Sequence, residues 1–321
     1  MKLISIVVPV FNEQENINVF YQEVCKHMES LNYSFELVFV DDGSTDGTPL
    51  IMDKLSQQDS RVRSILLARN FGHQIALTCG LDHARGEAVV TMDGDMQHPP
   101  EMLPLLIGKW EAGFEIVQTI RKDTEGVSWS KRFTSGMFYR VINALSNTRI
   151  AEGGSDFRLL DRKVVETLKN FKEKARFIRG MVGALGYKQI QIEFVAPERF
   201  AGKSKFSYKK MIHFALDGIT AYSRLPLRMA LYLGLISGLL SFLLTADVVY
   251  TKLFTTEAVP GWATIAASVL LLGGLQLIGL GIIGEYIGRI FEEVKQRPLY
   301  WVSREITGNA QSNAKKNSAV A

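Results

Sequence analysis

A chain of 321 residues, 47% hydrophobic and 22% charged, has room for one large folded domain with an appendage, and its composition excludes a disordered protein. Its net charge of +4 is too small to mark a nucleic-acid binder, and the basic residues gather near the apolar last third. Two cysteines, Cys25 and Cys79, give neither a metal-ligand spacing nor a disulfide framework.

The N-terminal apolar run, Leu3 to Phe11, contains Pro9 and enters the polar stretch Asn12-Glu13-Gln14-Glu15, so it reads as a strand and not as a signal peptide. The main domain is therefore expected in the cytoplasm. Leu3–Val10, Glu36–Val40, Val62–Ala68, Ala88–Met92 and Glu115–Ile120 are predicted strands, rich in Val and Ile and apolar on both faces. Helical patterns lie between them at Gln14–Ser30, Thr48–Gln57, His73–Ala84 and Pro100–Ala112. Such alternation predicts an α/β fold with a mostly parallel, doubly covered sheet. Further on, Trp129–Leu145 reads as a helix, and Asp156–Leu160 and Gln189–Val195 read as strands.

The composition then changes. Met229–Tyr250 carries a single charge, Asp247, and Trp262–Gly284 carries none; each matches the roughly 20 apolar residues that span a bilayer core. Arg199, Lys203, Lys205, Lys209, Lys210, Arg224 and Arg228 precede the first run, and Arg289, Lys295 and Arg297 follow the second. The connection Thr251–Gly261 carries only Lys252, so the positive-inside bias puts both termini in the cytoplasm and the loop outside. Glu285 has Arg228 or Arg289 as a candidate partner. Tyr208–Tyr222 has apolar residues at helical spacing and suits a helix lying in the membrane interface or packed on the sheet. Glycines 273, 274, 279, 281, 284 and 288 allow close helix approach within the hairpin or between protomers, which makes a homo-oligomer plausible. Gly308–Ala321 is small and polar, a tail without structure.

The sharpest local signal is Met92-Asp93-Gly94-Asp95-Met96-Gln97-His98-Pro99-Pro100. A buried strand ends there in two carboxylates, where open α/β sheets form ligand crevices. Asp93, Asp95 and the Gln97 amide are hard oxygen donors, suited to Mg²⁺ or Mn²⁺ with phosphate oxygens and water completing the shell. A solvated acidic turn before a helix is the plainer reading of the same residues. Two other strand ends, Val7–Glu13 and Val40–Gly47, carry acidic or amide groups to the same edge. Asp46 reads as a helix cap in that second segment. Neither common glycine-rich phosphate cradle occurs at a strand-to-helix turn.

These residues, with Ser155–Leu160, Arg199–Phe206 and Gly284–Arg289, resemble the family-2 glycosyltransferases of GT-A fold. Within them the chain resembles polyprenyl-phosphate glycosyltransferases, closest to bactoprenol-type glucosyltransferases with a two-helix anchor. The resemblance implies a GT-A domain over residues 1–206, a juxtamembrane helix at 207–228, a transmembrane hairpin at 229–288, and a cytoplasmic segment and tail at 289–321. It implies that Pro9, Phe11, Glu13, Val40, Asp42, Asp93 and Arg121 hold a nucleotide sugar, and that Asp93, Asp95 and Gln97 hold the metal. Arg199, Lys205 and Lys203 would meet phosphates. Asp95 and Asp156 would be catalytic, Asp156 either as a base or as an orienting group, since an acceptor phosphate with a second pKa near 6 needs little deprotonation.

The implied reaction is an inverting transfer of a hexose, glucose from UDP-glucose, to a polyprenyl phosphate at the inner membrane. A processive polysaccharide synthase is the rival enzyme, but Gln118-Thr119-Ile120-Arg121-Lys122 lacks the Trp of its signature. A silent membrane scaffold of the same fold is the rival from another class.

Overall fold

The computed structural model describes residues 1–122, 154–174, 176–195, 197, 225–254 and 261–307. Arg199, Lys203 and Lys205 lie outside these residues, as do the expected helices Trp129–Leu145 and Tyr208–Tyr222 and the tail after Thr307. The sheet, its helices and residues 297–307 belong to one compact unit, and the two long apolar helices belong to a second.

Eight strands form the sheet: β1 (Leu3–Val10), β2 (Ser34–Asp41), β3 (Val62–Leu67), β4 (Ala88–Thr91), β5 (Ile116–Lys122), β6 (Gly154–Asp161), β7 (Gln189–Val195) and β8 (Val302–Thr307). Their order is β7-β5-β6-β4-β1-β2-β3-β8. The central run β4-β1-β2-β3 is parallel, as expected, while β6 and β8 run antiparallel to their neighbours. β1 is followed by β2 and β3 on one side, and the chain then crosses to β4 on the other. The carboxyl ends of β1 and β4 therefore flank a topological switch point, where open α/β sheets bind ligands.

Strand alternation builds a core on each face. Ile4, Ile6, Val8 and Val10 of β1 point to the face covered by α1 (Ile17–Glu29), α2 (Thr48–Gln58) and α4 (Leu103–Glu111). Val7, Val38 and Val40 point to the opposite face, covered by α3 (His73–His83), α5 (Arg162–Lys169) and α6 (Ile178–Ala184). Helix α3 lies so close to β1 that a Cβ at Gly80 would stand 2.2 Å from Val7 Cγ1, so only glycine fits there.

The sequence missed α5, α6 and β8. The two helices are short, and Asp161 caps α5 by accepting from the Lys163 amide at 3.0 Å. The missed strand lies within residues 289–321 and pairs with β3. Its sequence, VSREIT, is mostly polar, and an edge strand of this kind is defined by its neighbour and not by its own pattern.

The second unit holds α7 (Leu225–Phe254) and α8 (Trp262–Val294), which contain the two expected spans. Among the described residues, Pro226–Thr251 and Leu271–Val294 are long and apolar enough to cross a membrane. Leu231, Leu235, Phe242, Leu277 and Ile290 are exposed, an apolar surface that a soluble monomer rarely shows. Glu285 pairs with Arg289, at 3.1 Å, within one face of α8. A Cβ at glycines 273, 274, 279, 281, 284 or 288 would meet nothing within 4 Å, so none of these positions makes a tight crossing within the described hairpin.

Candidate active site

The ends of β1 and β2 are knitted together by side chains from the loops that follow them. The Asn12 amide donates to Ser44 Oγ at 2.8 Å, and Asn12 Oδ1 accepts from the Thr45 amide at 2.8 Å. The Glu13 amide donates to Thr48 Oγ1 at 2.9 Å, and Gln14 Oε1 accepts from the Gly47 amide at 2.8 Å. Asp46 accepts from the Thr48 amide at 3.0 Å, so it does secure the start of α2. Pro9 and Val40 face each other in register and are buried, with Val40 in the core, whereas Phe11 and Glu13 are half-buried.

Asp42 is buried, and its Oδ atoms accept from the amides of Phe71 at 2.7 Å and Gly72 at 2.9 Å. Burial pushes the Asp42 carboxyl up, and those two amides oppose the shift. Asp42 thus ties the end of β2 to the turn that follows β3.

The turn after β4 has a different construction. Met96 adopts a left-handed backbone (φ 63°), which a side chain of this size rarely does, and the Gln97 amide donates to Asp95 Oδ1 at 3.1 Å. The Asp93 amide donates to His98 Nδ1 at 2.8 Å. His98 Nδ1 is therefore an acceptor, so the ring proton resides on Nε2, 2.8 Å from Ser155 Oγ. The ring stacks on Phe157, with centroids 5.1 Å apart, which fixes the turn against β6. Asp93 itself stays 36% exposed, with His73 Nε2 and His98 Nε2 each 3.6 Å from its carboxylate.

Asp156, on β6, sits in a dense polar pocket. Its carboxylate accepts from Arg158 Nη2 at 2.7 Å and Gln74 Nε2 at 2.9 Å, with His73 Nε2 and Arg179 Nη2 each at 3.6 Å. Burial alone would push this carboxyl up, but His73, Arg158 and Arg179 outweigh it and hold it far below the usual carboxylate range. Taking the His73 charge from water would lower its pKa, yet Asp93, Asp156 and Asp42 outweigh that and raise it to about 9. Arg158 is completely buried, and its Nε and Nη1 have no hydrogen-bond partner among the described residues.

The geometry thus gathers Asp93 and Asp156 around His73, and sets Asp42, Phe11 and Glu13 along the neighbouring strand ends. Arg121 lies exposed near the end of β5, in register with Phe194 of β7. The sequence reading missed His73, Gln74, His98, Ser155 and Arg179. One available signal was the end of β3: that strand is parallel to β1, β2 and β4, so the segment Asn70–Gln74 had to reach the same edge.

Among the described residues no group of three or more His, Cys, Asp or Glu could hold a metal ion. The described residues therefore offer no closed metal cage of their own. Asp93, Asp95 and Gln97 are an oxygen-only donor set on one turn, and this chemistry fits a Mg²⁺-like ion that shares its shell with phosphate and water.

Residues 5–169 match the family model for glycosyl transferase family 2. The SfII prophage-derived bactoprenol glucosyl transferase of Shigella flexneri is 44% identical over 306 residues, covering 95% of this chain and 99% of its own. A prophage bactoprenol glucosyl transferase homolog of Escherichia coli K12 is 42% identical over 94% of this chain and 98% of its own. Among solved structures, mannosyl-3-phosphoglycerate synthase from Rubrobacter xylanophilus aligns over 81% of this chain and 78% of its own, at 15% identity and a TM-score of 0.49.

Proposed function

In a chain that belongs to the family-2 glycosyltransferases, we propose that the site transfers a hexose, glucose, from UDP-glucose to a polyprenyl phosphate, with inversion at the anomeric carbon. One observation carries the lipid acceptor. The likeness to bactoprenol glucosyl transferases covers 95% of the chain, so it runs past the sheet and through both apolar helices. Site and anchor are matched together.

Phe11, Glu13 and the backbone at Pro9 and Val40 face the nucleoside, and Asp42 holds the edge of that pocket. Asp93, Asp95 and Gln97 would hold Mg²⁺ or Mn²⁺, which neutralises the charge growing on the nucleoside diphosphate as it leaves. Arg121, Arg199, Lys203 and Lys205 supply positive charge to the donor and acceptor phosphates. Asp156 is ionised and held from several sides, which suits a group that orients a sugar hydroxyl and counters a nearby cation better than one that exchanges a proton. The acceptor phosphate needs no strong base in any case, being largely a dianion at neutral pH.

The apolar hairpin brings this site to the headgroup of a lipid whose tail stays in the bilayer. The sheet domain and both termini are cytoplasmic and the loop 255–260 is outside, a topology supported by the basic flanks and by the return of the chain to the sheet at β8. Cysteine labelling of intact cells should reach position 256 and should reach position 312 only after permeabilisation. The reverse pattern overturns the topology.

The deciding experiment incubates the purified protein with a panel of nucleotide sugars, undecaprenyl phosphate and Mg²⁺ or Mn²⁺, and identifies the lipid product by mass. A hexosyl phospholipid formed from UDP-glucose is the expected product. Glycan polymer, or hydrolysis of the donor alone, would sink the reading.

A further inference from the structure

Strand β8 enters the sheet only after the chain has passed through both apolar helices, and it is fastened along its length. Tyr300 donates from its hydroxyl to Asp82 of α3 at 2.9 Å, Arg304 pairs with Asp53 of α2, and Glu305 accepts from the buried Arg63 of β3 at 2.7 Å. Arg63 in turn pairs with Glu36 of β2 at 3.1 Å and donates to the His83 carbonyl at 2.7 Å.

Between these fastenings Trp301 does something else. Its carbonyl accepts from the Ala68 amide at 2.9 Å, and its ring lies 6.0 Å from the ring of Phe71. The Arg69 guanidinium also lies over the Phe71 ring, 4.3 Å from its centroid. The turn 69–72 is thus gripped by Trp301 at its aromatic ring and by the Asp42 carboxylate at its amides. It is also pressed against Gly43, which has a φ of +72° and where a Cβ would stand 2.6 Å from Arg69 C and Asn70 N. The next residue is His73, which lies between Asp93 and Asp156.

We propose that Trp301 is a positioning residue for the donor site: its ring tilted against that of Phe71, it holds the 69–72 turn so that Asp42 and His73 keep their places at the strand ends. This rests on the reading above that Asp42 borders the nucleoside pocket. A segment beyond the membrane hairpin therefore completes the donor site, although it contributes no group to the ligand. The other fastenings of β8 do not touch the turn, so the strand's attachment and its positioning role are separable.

The test uses the full chain in detergent, with UDP-glucose as donor and undecaprenyl phosphate as acceptor, and follows each KM and kcat. Trp301→Ala should raise the donor KM about fivefold to tenfold, with kcat and acceptor KM within about twofold. Phe71→Leu, which removes the partner ring, should do the same, and Trp301→Phe should restore most of the affinity. Arg304→Ala, which weakens only the attachment of β8, should leave the donor KM unchanged. An unchanged donor KM in both Trp301→Ala and Phe71→Leu overturns the proposal. So do equal losses of kcat in Trp301→Ala and Arg304→Ala, which would mean that β8 merely stabilises the domain. Asp42→Ala separates the two layers of inference. If it raises the donor KM and Trp301→Ala does not, the strap fails alone; if Asp42→Ala has no effect, the placement of Asp42 fails and the strap's role with it.

Discussion

Asp93 and Asp156 stand at the same distance from the His73 ring, yet they are built in opposite ways. Asp156 is 15% exposed and has two close hydrogen-bond donors with a second guanidinium behind them, whereas Asp93 is 36% exposed and, among the described residues, has only long contacts to two imidazoles. A carboxylate whose charge is already compensated gains little from another cation. One at the mouth of a crevice, held by its backbone and not by its oxygens, is available to exchange partners. On the proposed reading, the pair would divide the work of the site: one carboxylate fixing geometry, the other accepting a cation that arrives with its substrate.

The largest effect is expected where the exchangeable side is broken. Asp95→Asn removes a charged oxygen donor from the β4 turn and should cost roughly a thousandfold or more in turnover, while the protein stays folded. Full activity in excess EDTA, or activity within a few-fold of the unchanged protein, would remove the metal from this turn.

Breaking the fixed side should be read first as stability. Arg158→Leu leaves the buried Asp156 with less compensation and should cost about 3 kcal/mol in denaturant unfolding. The sign with pH sharpens the test. A folded pKa held below the unfolded value of about 3.9 contributes stability above that value, and the contribution is lost as pH falls. The unchanged protein should therefore lose more stability than Arg158→Leu on going from pH 5 to pH 2. Parallel losses would show that Arg158 does not hold the Asp156 charge.

The smaller expected effects concern the phosphates. If Arg199 and Lys205 meet them, replacing either by Ala should cost roughly thirtyfold in rate, whereas Lys209→Ala and Lys210→Ala should cost little. Assay in detergent without anionic lipid distinguishes this from surface attraction, which is worth only about 1 kcal/mol per charge. Equal mild losses at all four positions would make the stretch a membrane-facing surface.

The same contrast explains what could be read beforehand. Strands β1 and β7 run over the residues expected, and α2 and α3 begin at the expected Thr48 and His73, because Val- and Ile-rich runs and helical spacing are local signals. Asp93 and Asp95 were visible as well, since a strand that ends in two carboxylates needs no partner to be noticed. The pocket around Asp156 was not. Its members come from α3, β6 and α6, and no spacing rule links Gln74, Arg158 and Arg179 before the sheet order is known. β8 escaped for a related reason, since Arg63 and the edge of β3 make those residues a strand.

That late strand has a consequence for how the protein is made. β3 lies at the edge of the sheet until β8 arrives, so for much of synthesis a nearly complete domain presents open amides and carbonyls to whatever strand is near. The Arg63–Glu305 pair joins residues far apart in the chain, a closure that is slow by its topology and that a chain ending within the hairpin cannot make. Folding of the sheet thus ends after the hairpin has emerged, and a chain stalled or clipped within α8 is left with an unprotected edge that favours aggregation.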